Sequence, residues 1–98
     1  MNTARFGDLE VLCRMPAGTP RPTPLLFIHG AFTAAWCWEE HFLPHFASLG
    51  YASYAVSLSG HGGSRNRAFL DSYSLADYVA DVADVADRLP APPVLIGH

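Results

Sequence analysis

Lysine is absent from this 98-residue chain, and its six basic residues are all arginines that stand singly along the sequence. The formal net charge is −3, and no basic run resembles a surface that could neutralise a phosphate backbone. Charged residues make up only 15% of the chain and hydrophobic residues 50%, which is too apolar for a disordered protein. The composition therefore predicts one small folded domain and argues against a nucleic-acid partner.

Long hydrophobic runs are also missing. The first eight residues hold no apolar stretch of the kind that a signal peptide needs, and no stretch approaches the ~18 apolar residues of a membrane span. Cys13 and Cys37 lack a Cys-x-x-Cys spacing, so we expect reduced, packed thiols. These absences predict a soluble cytoplasmic protein without membrane insertion.

The strongest positive signal is the apolar run Leu25–Ile28, which is bounded by Pro24 and Gly30. Such a run is typical of a strand that is covered on both faces, as in a parallel sheet. At His29-Gly30 the chain must turn beyond the carboxyl end of this strand, where ligands bind in open α/β sheets. A backbone N–H just after the turn could serve as an oxyanion donor. The alternative, that His29-Gly30 only ends a strand, stays open.

The rest of the chain alternates strands and helices. Pro44 must lie near the start of its helix, because proline is not tolerated deep inside one. The predicted elements are an edge strand at 6–14, the strand at 25–28, a helix from about residue 40 to a stop at Gly50, a strand at 52–58, a loop at 59–73, a helix from Ser74 to 89 and a strand at 94–96. This order predicts right-handed crossovers and a mostly parallel sheet of the α/β class.

Metal and cofactor sites are not predicted. Four aspartates of the second helix occupy one side of it and are expected to form a solvated face (Asp77, Asp81, Asp84 and Asp87). His41 and His45 are four residues apart, but Pro44 lies between them and no third ligand is evident. The glycine-rich loop lacks a dinucleotide fingerprint, since position 65 is arginine and no helix follows.

Three segments follow predicted strands at their carboxyl ends, and together they resemble the α/β-hydrolase family. Phe27-Ile28-His29-Gly30-Ala31 is similar to its His-Gly oxyanion turn, Gly60-His61-Gly62-Gly63-Ser64 to its Gly-His-Gly-x-Ser loop, and Pro93–His98 to the strand that leads into the nucleophile elbow. The resemblance is greatest to bacterial esterase, lysophospholipase and haloperoxidase-like members, and to plant methylesterases around His29 to Trp38. One departure is Ser57-Leu58-Ser59, where many relatives have Asp-x-Arg/Pro.

The resemblance implies that residues 1–98 are the N-terminal portion of a single α/β-hydrolase domain, ending just before the nucleophile elbow. None of the catalytic triad would then lie in this chain. Ala31 and Phe32 would supply an oxyanion N–H, and Trp36 and Trp38 either line an apolar acyl pocket or belong to the core. The family's remaining motif and loop positions are His29, Gly30, Gly60, His61, Gly62, Ser64, Gly97 and His98, of which His29 and His61 are expected to order loops.

For the whole protein, the resemblance implies a serine esterase or lipase-like enzyme. It would cleave small carboxylic esters by acyl transfer to water, without a cofactor. Two alternatives remain: an inactive truncated fragment without a triad, and a fold member that does not hydrolyse, such as a lyase or a haloperoxidase-like enzyme. The oligomeric state is not indicated.

The chain's last residues generate a prediction about the coding sequence. A nucleophile elbow needs a small residue two positions before its serine, and Gly97 has that place if residue 99 is serine. We expect the reading frame to continue with Ser-x-Gly, a covering helix, an acidic residue and then a histidine. Sequencing the transcript beyond His98 tests this. A residue other than Ser, Cys or Asp at 99 would contradict the hydrolase assignment.

Overall fold

The computed structural model describes residues 2–30, 33–61, 64 and 75–97. Its strands are β1 (Asn2–Phe6), β2 (Leu9–Arg14), β3 (Leu25–Ile28), β4 (Ser53–Val56) and β5 (Val94–Gly97). Its helices are a 3₁₀ turn (Ala35–Trp38), α1 (Phe42–Ser48) and α2 (Leu75–Arg88). The strands form one sheet in the order β1-β2-β4-β3-β5.

The sheet is mixed. β3 pairs in parallel with β4 on one side and with β5 on the other, so the predicted crossover connections and the α/β class are confirmed. β2 pairs antiparallel with β4, and β1 pairs antiparallel with β2. Since β3 has a neighbour on each side and packing on both faces, its continuous apolar run matches its position.

The N-terminal segment differs from the sequence prediction. Residues 6–14 were predicted as one edge strand, but the chain forms a hairpin in which β1 takes the edge and β2 lies inside the sheet. Gly7 makes the two-residue turn with Asp8 and has φ +64°, a backbone conformation that glycine adopts without a steric cost. A glycine at the first turn position matches the right-handed twist of the paired strands. The dipeptide Gly7-Asp8 therefore predicts the hairpin that the structure shows.

Two apolar clusters cover the two faces of the sheet, because successive side chains of a strand point to opposite sides. Leu26 contributes to one cluster and Phe27 to the other, and both are fully buried. The cluster under α2 contains Leu9, Val11, Leu26, Val56, Leu58, Val85 and Leu89. The cluster under α1 and the 3₁₀ turn contains Leu12, Leu25, Phe27, Ala35, Trp38, Leu43 and Ala55.

Helix α1 has the predicted boundaries. It begins at Phe42, so that Pro44 falls in its first turn. The N–H groups of the first turn have no partner within the helix, so the N–H that proline lacks costs no hydrogen bond. Gly50 follows its end with φ +96° and donates its N–H to the Ala47 carbonyl at 3.0 Å. The Gly50 carbonyl accepts the Arg21 N–H at 2.8 Å, which ties this stop to the segment before β3.

In the described part of the chain, no helix combines the length and the apolar character that crossing a membrane requires.

Replacement of Gly50 by alanine should destabilise the fold. A Cβ there would be strained at φ +96° and would lie 3.2 Å from the Arg21 Nε, so we expect a loss of about 1–2 kcal/mol in the free energy of unfolding. Gly18→Ala is the matched control, since its Cβ meets nothing within 4 Å and its φ is not positive. Urea unfolding of both variants measures the difference. Equal free energies of unfolding for the two variants would contradict the expected backbone strain at position 50.

Candidate functional site

The carboxyl ends of β3, β4 and β5 meet at one edge of the sheet. The parallel register places Ile28 beside Val56 on one side and beside Gly97 on the other. The residues that follow these strands therefore share that edge. The structure brings His29 and Gly30 together there with Ser57 to His61, and Gly97 lies next to them on β5.

His29 fastens the ends of two strands to each other. Its side chain is buried, and its Nε2 accepts the Leu58 N–H at 2.9 Å. Because Nε2 is an acceptor, the proton is on Nδ1, which donates to the Gly30 carbonyl at 2.7 Å. Burial lowers the pKa of His29, the bond to Gly30 opposes this effect, and nearby His61 lowers the pKa further. His29 is thus a neutral imidazole with both nitrogens engaged.

The Gly30 carbonyl has a second donor. The Thr33 Oγ1 hydroxyl donates to it at 2.8 Å, so this one oxygen is held from two sides. Ala31 and Phe32, the predicted oxyanion donors, lie outside the described residues, as do Gly62 and His98.

His61 packs against His29 on the inner side of the loop that follows β4. The two ring centroids are 4.8 Å apart, and Tyr78 of α2 contacts the other side of His61 at 5.8 Å. The His61 Nδ1 donates to the Ser59 carbonyl at 3.0 Å, across a turn in which Gly60 has φ +81°. This arrangement holds the turn at residues 59–61 and leaves His61 buried.

Asp81 corrects the prediction of a solvated aspartate face. It is only 4% exposed, and its carboxylate accepts the Ser59 N–H at 2.8 Å and the Ser59 hydroxyl at 3.0 Å. The buried side of α2 runs through Tyr78, Asp81, Val85 and Leu89, whereas Val79 is 60% exposed. Asp81 therefore belongs to the packed face of α2, where it supplies the acceptor that the turn after β4 needs.

The other three aspartates of α2 stay on its outer side. Asp77 and Asp87 are exposed, and Asp84 pairs with Arg88 at 3.3 Å. Within the part of the chain that the structure describes, no three His, Cys, Asp or Glu side chains come together as a metal ion would require.

Sequence reasoning missed a serine cluster on the β2 side of the same edge. Ser57 is fully buried, and its hydroxyl donates to Glu10 Oε1 at 2.8 Å and accepts the Ala35 N–H at 3.0 Å. The Ser64 hydroxyl accepts the Glu10 N–H at 2.9 Å and donates to the Ser57 carbonyl. The signal was the departure at Ser57-Leu58-Ser59, since small hydroxyls there need an acceptor from elsewhere in the fold.

An open apolar groove of about 690 Å³ adjoins His29 and His61. It lies between α2 and β5, where Val79 and Leu95 are both more than half exposed. Its lining consists of Ile28, His29, Gly30, Leu58, His61, Leu75, Tyr78, Val79, Val82, Ala83, Ala86 and Leu95.

The two tryptophans lie away from this groove. Trp38 is buried in the α1 cluster with its ring centroid 5.1 Å from that of Phe27. Trp36 is 62% exposed and lines a separate depression beside Arg14. Trp38 thus belongs to the core, and the role of the two tryptophans in a substrate pocket stays a prediction for the whole protein.

Comparisons with known proteins agree with this geometry. The sequence model of the Alpha/beta hydrolase family matches residues 25–98. Epoxide hydrolase 4 of Mus musculus is 36% identical over 95 residues, which cover 96% of this chain and 26% of that protein. The thioesterase domain from the curacin biosynthetic pathway superposes with a TM-score of 0.77 at 31% identity, over 99% of this chain and 34% of its own.

An epoxide hydrolase from an endophytic Streptomyces superposes with a TM-score of 0.76 at 26% identity, over 99% of this chain and 28% of its own. The chain thus spans between about a quarter and a third of the length of the relatives that it matches.

The neutral state of His29 predicts a pH dependence of stability. Its pKa in the fold lies below the ordinary 6.5, so the unfolded chain binds the proton more readily. This residue's contribution should be constant above about pH 6.5 and should be lost as the pH falls through the folded pKa. The advantage of wild type over His29→Asn should therefore shrink on acidification.

Urea unfolding between about pH 5 and pH 7.5 measures this difference. The exposed His41 supplies the control variant His41→Asn, which should keep the wild-type slope. If the free energy of unfolding of His29→Asn changed with pH as that of the wild type does, the buried neutral imidazole would be contradicted.

Proposed function

Because this chain belongs to the α/β hydrolase family, we propose that the whole protein hydrolyses small carboxylic esters or thioesters through a serine nucleophile. The serine oxygen attacks the carbonyl, a histidine takes the hydroxyl proton and returns it to the leaving group, and water then releases the acid. The present chain would contribute the oxyanion turn and the ordered loop beside it.

The observation that carries this proposal is the fixed Gly30 carbonyl. Two donors, the His29 Nδ1–H and the Thr33 hydroxyl, hold this oxygen at 2.7 and 2.8 Å. We propose that this held carbonyl directs the N–H groups that follow Gly30, the predicted oxyanion donors, towards the substrate carbonyl. Preorganised donors of this kind stabilise a developing oxyanion without reorganisation during the reaction.

The register of β5 supports the place of the nucleophile. Gly97 pairs with Ile28 in the parallel ladder, so residue 99 would be level with Gly30 if the register continues. A nucleophile at that position would stand beside the N–H groups that follow Gly30. Acyl transfer needs a reacting atom that lies about 3 Å from both the nucleophile and the oxyanion donors, and strands that lie about 4.8 Å apart leave room for it.

The groove between α2 and β5 is then a packing surface. The helix expected after a nucleophile elbow would cover its apolar part, where Leu75 is 77% and Val79 60% exposed. Only its polar end, at His29 and His61, would remain next to the reacting groups. This assignment leaves the acyl-binding pocket to segments beyond residue 98.

Epoxide opening is the second candidate, and the 36% identity with a mouse epoxide hydrolase favours it. An epoxide has no carbonyl, so the covalent step would be an attack on carbon by a carboxylate nucleophile. An acidic residue at position 99 would indicate this reaction. Fold likeness alone does not choose between the two.

Turnover by the whole purified protein tests the proposal. A short-chain nitrophenyl ester, a thioester and an aryl epoxide are supplied in parallel, and alanine at position 99 should abolish activity. The isolated 98-residue chain serves as the negative control. Turnover of the epoxide without the ester would favour the second candidate, and no turnover of any substrate would contradict both.

Within the whole protein, Gly30→Val should lower kcat by about 10²–10³ and change KM less, since a displaced oxyanion donor acts on the transition state. Gly18→Val is the matched control, because the space around Gly18 is open. Steady-state kinetics on the nitrophenyl ester measures both variants. Unchanged kcat in a folded Gly30→Val protein would remove this turn from the mechanism.

A further inference from the structure

We propose that Glu10, acting through the Ser57 hydroxyl, is a positioning residue that holds the end of the segment joining β3 to the 3₁₀ turn. The inference rests on the proposed function, in which that segment carries the oxyanion donors. Glu10 lies on β2, a strand that none of the active-site motifs includes.

The contacts form a continuous path from β2 to the 3₁₀ turn. Glu10 Oε1 accepts the Ser57 hydroxyl proton at 2.8 Å, and the same hydroxyl oxygen accepts the Ala35 N–H at 3.0 Å. Ala35 is the first residue of the 3₁₀ turn and is fully buried, as is Ser57. The path therefore joins a half-buried carboxylate to a buried backbone donor.

The main chain of Glu10 keeps its side chain in place. Its carbonyl accepts the Ser57 N–H at 2.9 Å, one step beyond the Val11–Val56 pair of the β2–β4 ladder. Its own N–H donates to the Ser64 hydroxyl at 2.9 Å. Because both backbone groups are bonded, the position of the Glu10 main chain is fixed. Only a few rotamers of the Glu10 side chain then bring its carboxylate within reach of Ser57.

The carboxylate sets the direction of the Ser57 hydroxyl. A serine hydroxyl has one proton and rotates to suit its partners. With its proton committed to a carboxylate in a charge-assisted bond, the oxygen presents a lone pair to the Ala35 N–H. Without Glu10 the proton can turn to another acceptor, and the buried Ala35 N–H then loses its alignment.

This anchor complements the one at Gly30. His29 and Thr33 hold the segment where it leaves β3, and Glu10 with Ser57 holds it where the 3₁₀ turn begins. Two anchors of this kind would restrict the conformations open to the chain between them. Positioning to a fraction of an ångström is what an oxyanion donor requires, and a 1 Å misplacement can cost about 10²-fold in rate.

The kinetic test compares three single variants and one double variant in the whole protein. Glu10→Ala and Ser57→Ala should each lower kcat on the nitrophenyl ester by about 10- to 100-fold and change KM by less than about twofold. Glu10→Gln keeps an acceptor oxygen and should retain kcat within about threefold. The double variant should be no worse than either single one, because both act through the same bond.

Glu40→Ala is the control, since that glutamate is exposed at the surface. Melting temperatures of all variants separate a loss of stability from a loss of kcat at the assay temperature. A purely structural Glu10 would lower the melting temperature and leave kcat unchanged. That result, or an equal loss in Glu10→Gln and Glu10→Ala, would overturn the proposal.

Amide hydrogen exchange at Ala35 provides a readout that does not depend on activity. Exchange at this one N–H should accelerate at least about tenfold in Glu10→Ala and Ser57→Ala relative to the amides of β3. Acceleration in a protein without hydrolase activity would support the positioning role and contradict the proposed function. Unchanged exchange at Ala35 in a protein that hydrolyses the ester would contradict the positioning role and support the proposed function. If Glu10→Ala does not fold, Ser57→Ala carries the same comparison.

Discussion

The bond from the Leu58 N–H to the His29 imidazole is the interaction on which the candidate site depends. The parallel ladder between β3 and β4 ends at Ile28 and Val56, and the Leu58 N–H beyond it bonds to a side chain of the β3 end. His29 takes the Leu58 N–H on one nitrogen and gives its proton to the Gly30 carbonyl from the other. One side chain thus supplies the hydrogen bonds at the point where the chain leaves the sheet. Its burial favours the neutral imidazole that this pair of bonds needs.

The same physical requirement explains the other buried polar residues of this edge. Backbone donors that leave a sheet and stay buried must find acceptors. Asp81 accepts the Ser59 N–H, Ser57 accepts the Ala35 N–H, and Ser64 accepts the Glu10 N–H. The buried side chains are therefore committed to the backbone. They shape the site, and the bond-making group has to come from another residue.

The sequence was informative wherever the structure is local. The apolar run of β3, the helix start before Pro44 and the stop at Gly50 each follow from a few consecutive residues, and all three were predicted correctly. The prediction of a single strand over residues 6–14 was wrong, because the alternation of apolar residues there hides the turn at Gly7-Asp8. The prediction that Asp81 is solvated was wrong. Helical periodicity places it among the outward aspartates, and only the turn after β4 shows that an acceptor is needed there. Glu10 was missed for the same reason: its partner Ser57 is 47 residues away.

This division between backbone and chemistry is consistent with the fold likeness to both a thioesterase domain and an epoxide hydrolase. The bonds around His29, Ser57 and Asp81 satisfy main-chain groups that any chain with this strand order must satisfy. They are therefore independent of whether the attacked atom belongs to an ester, a thioester or an epoxide. Under the proposed function, the choice of reaction would depend on a nucleophile beside Gly30 and on the pocket walls that stabilise the charge of the transition state. Under the proposed function, this chain would fix where that chemistry takes place, and the residue that follows His98 would select which bond is broken.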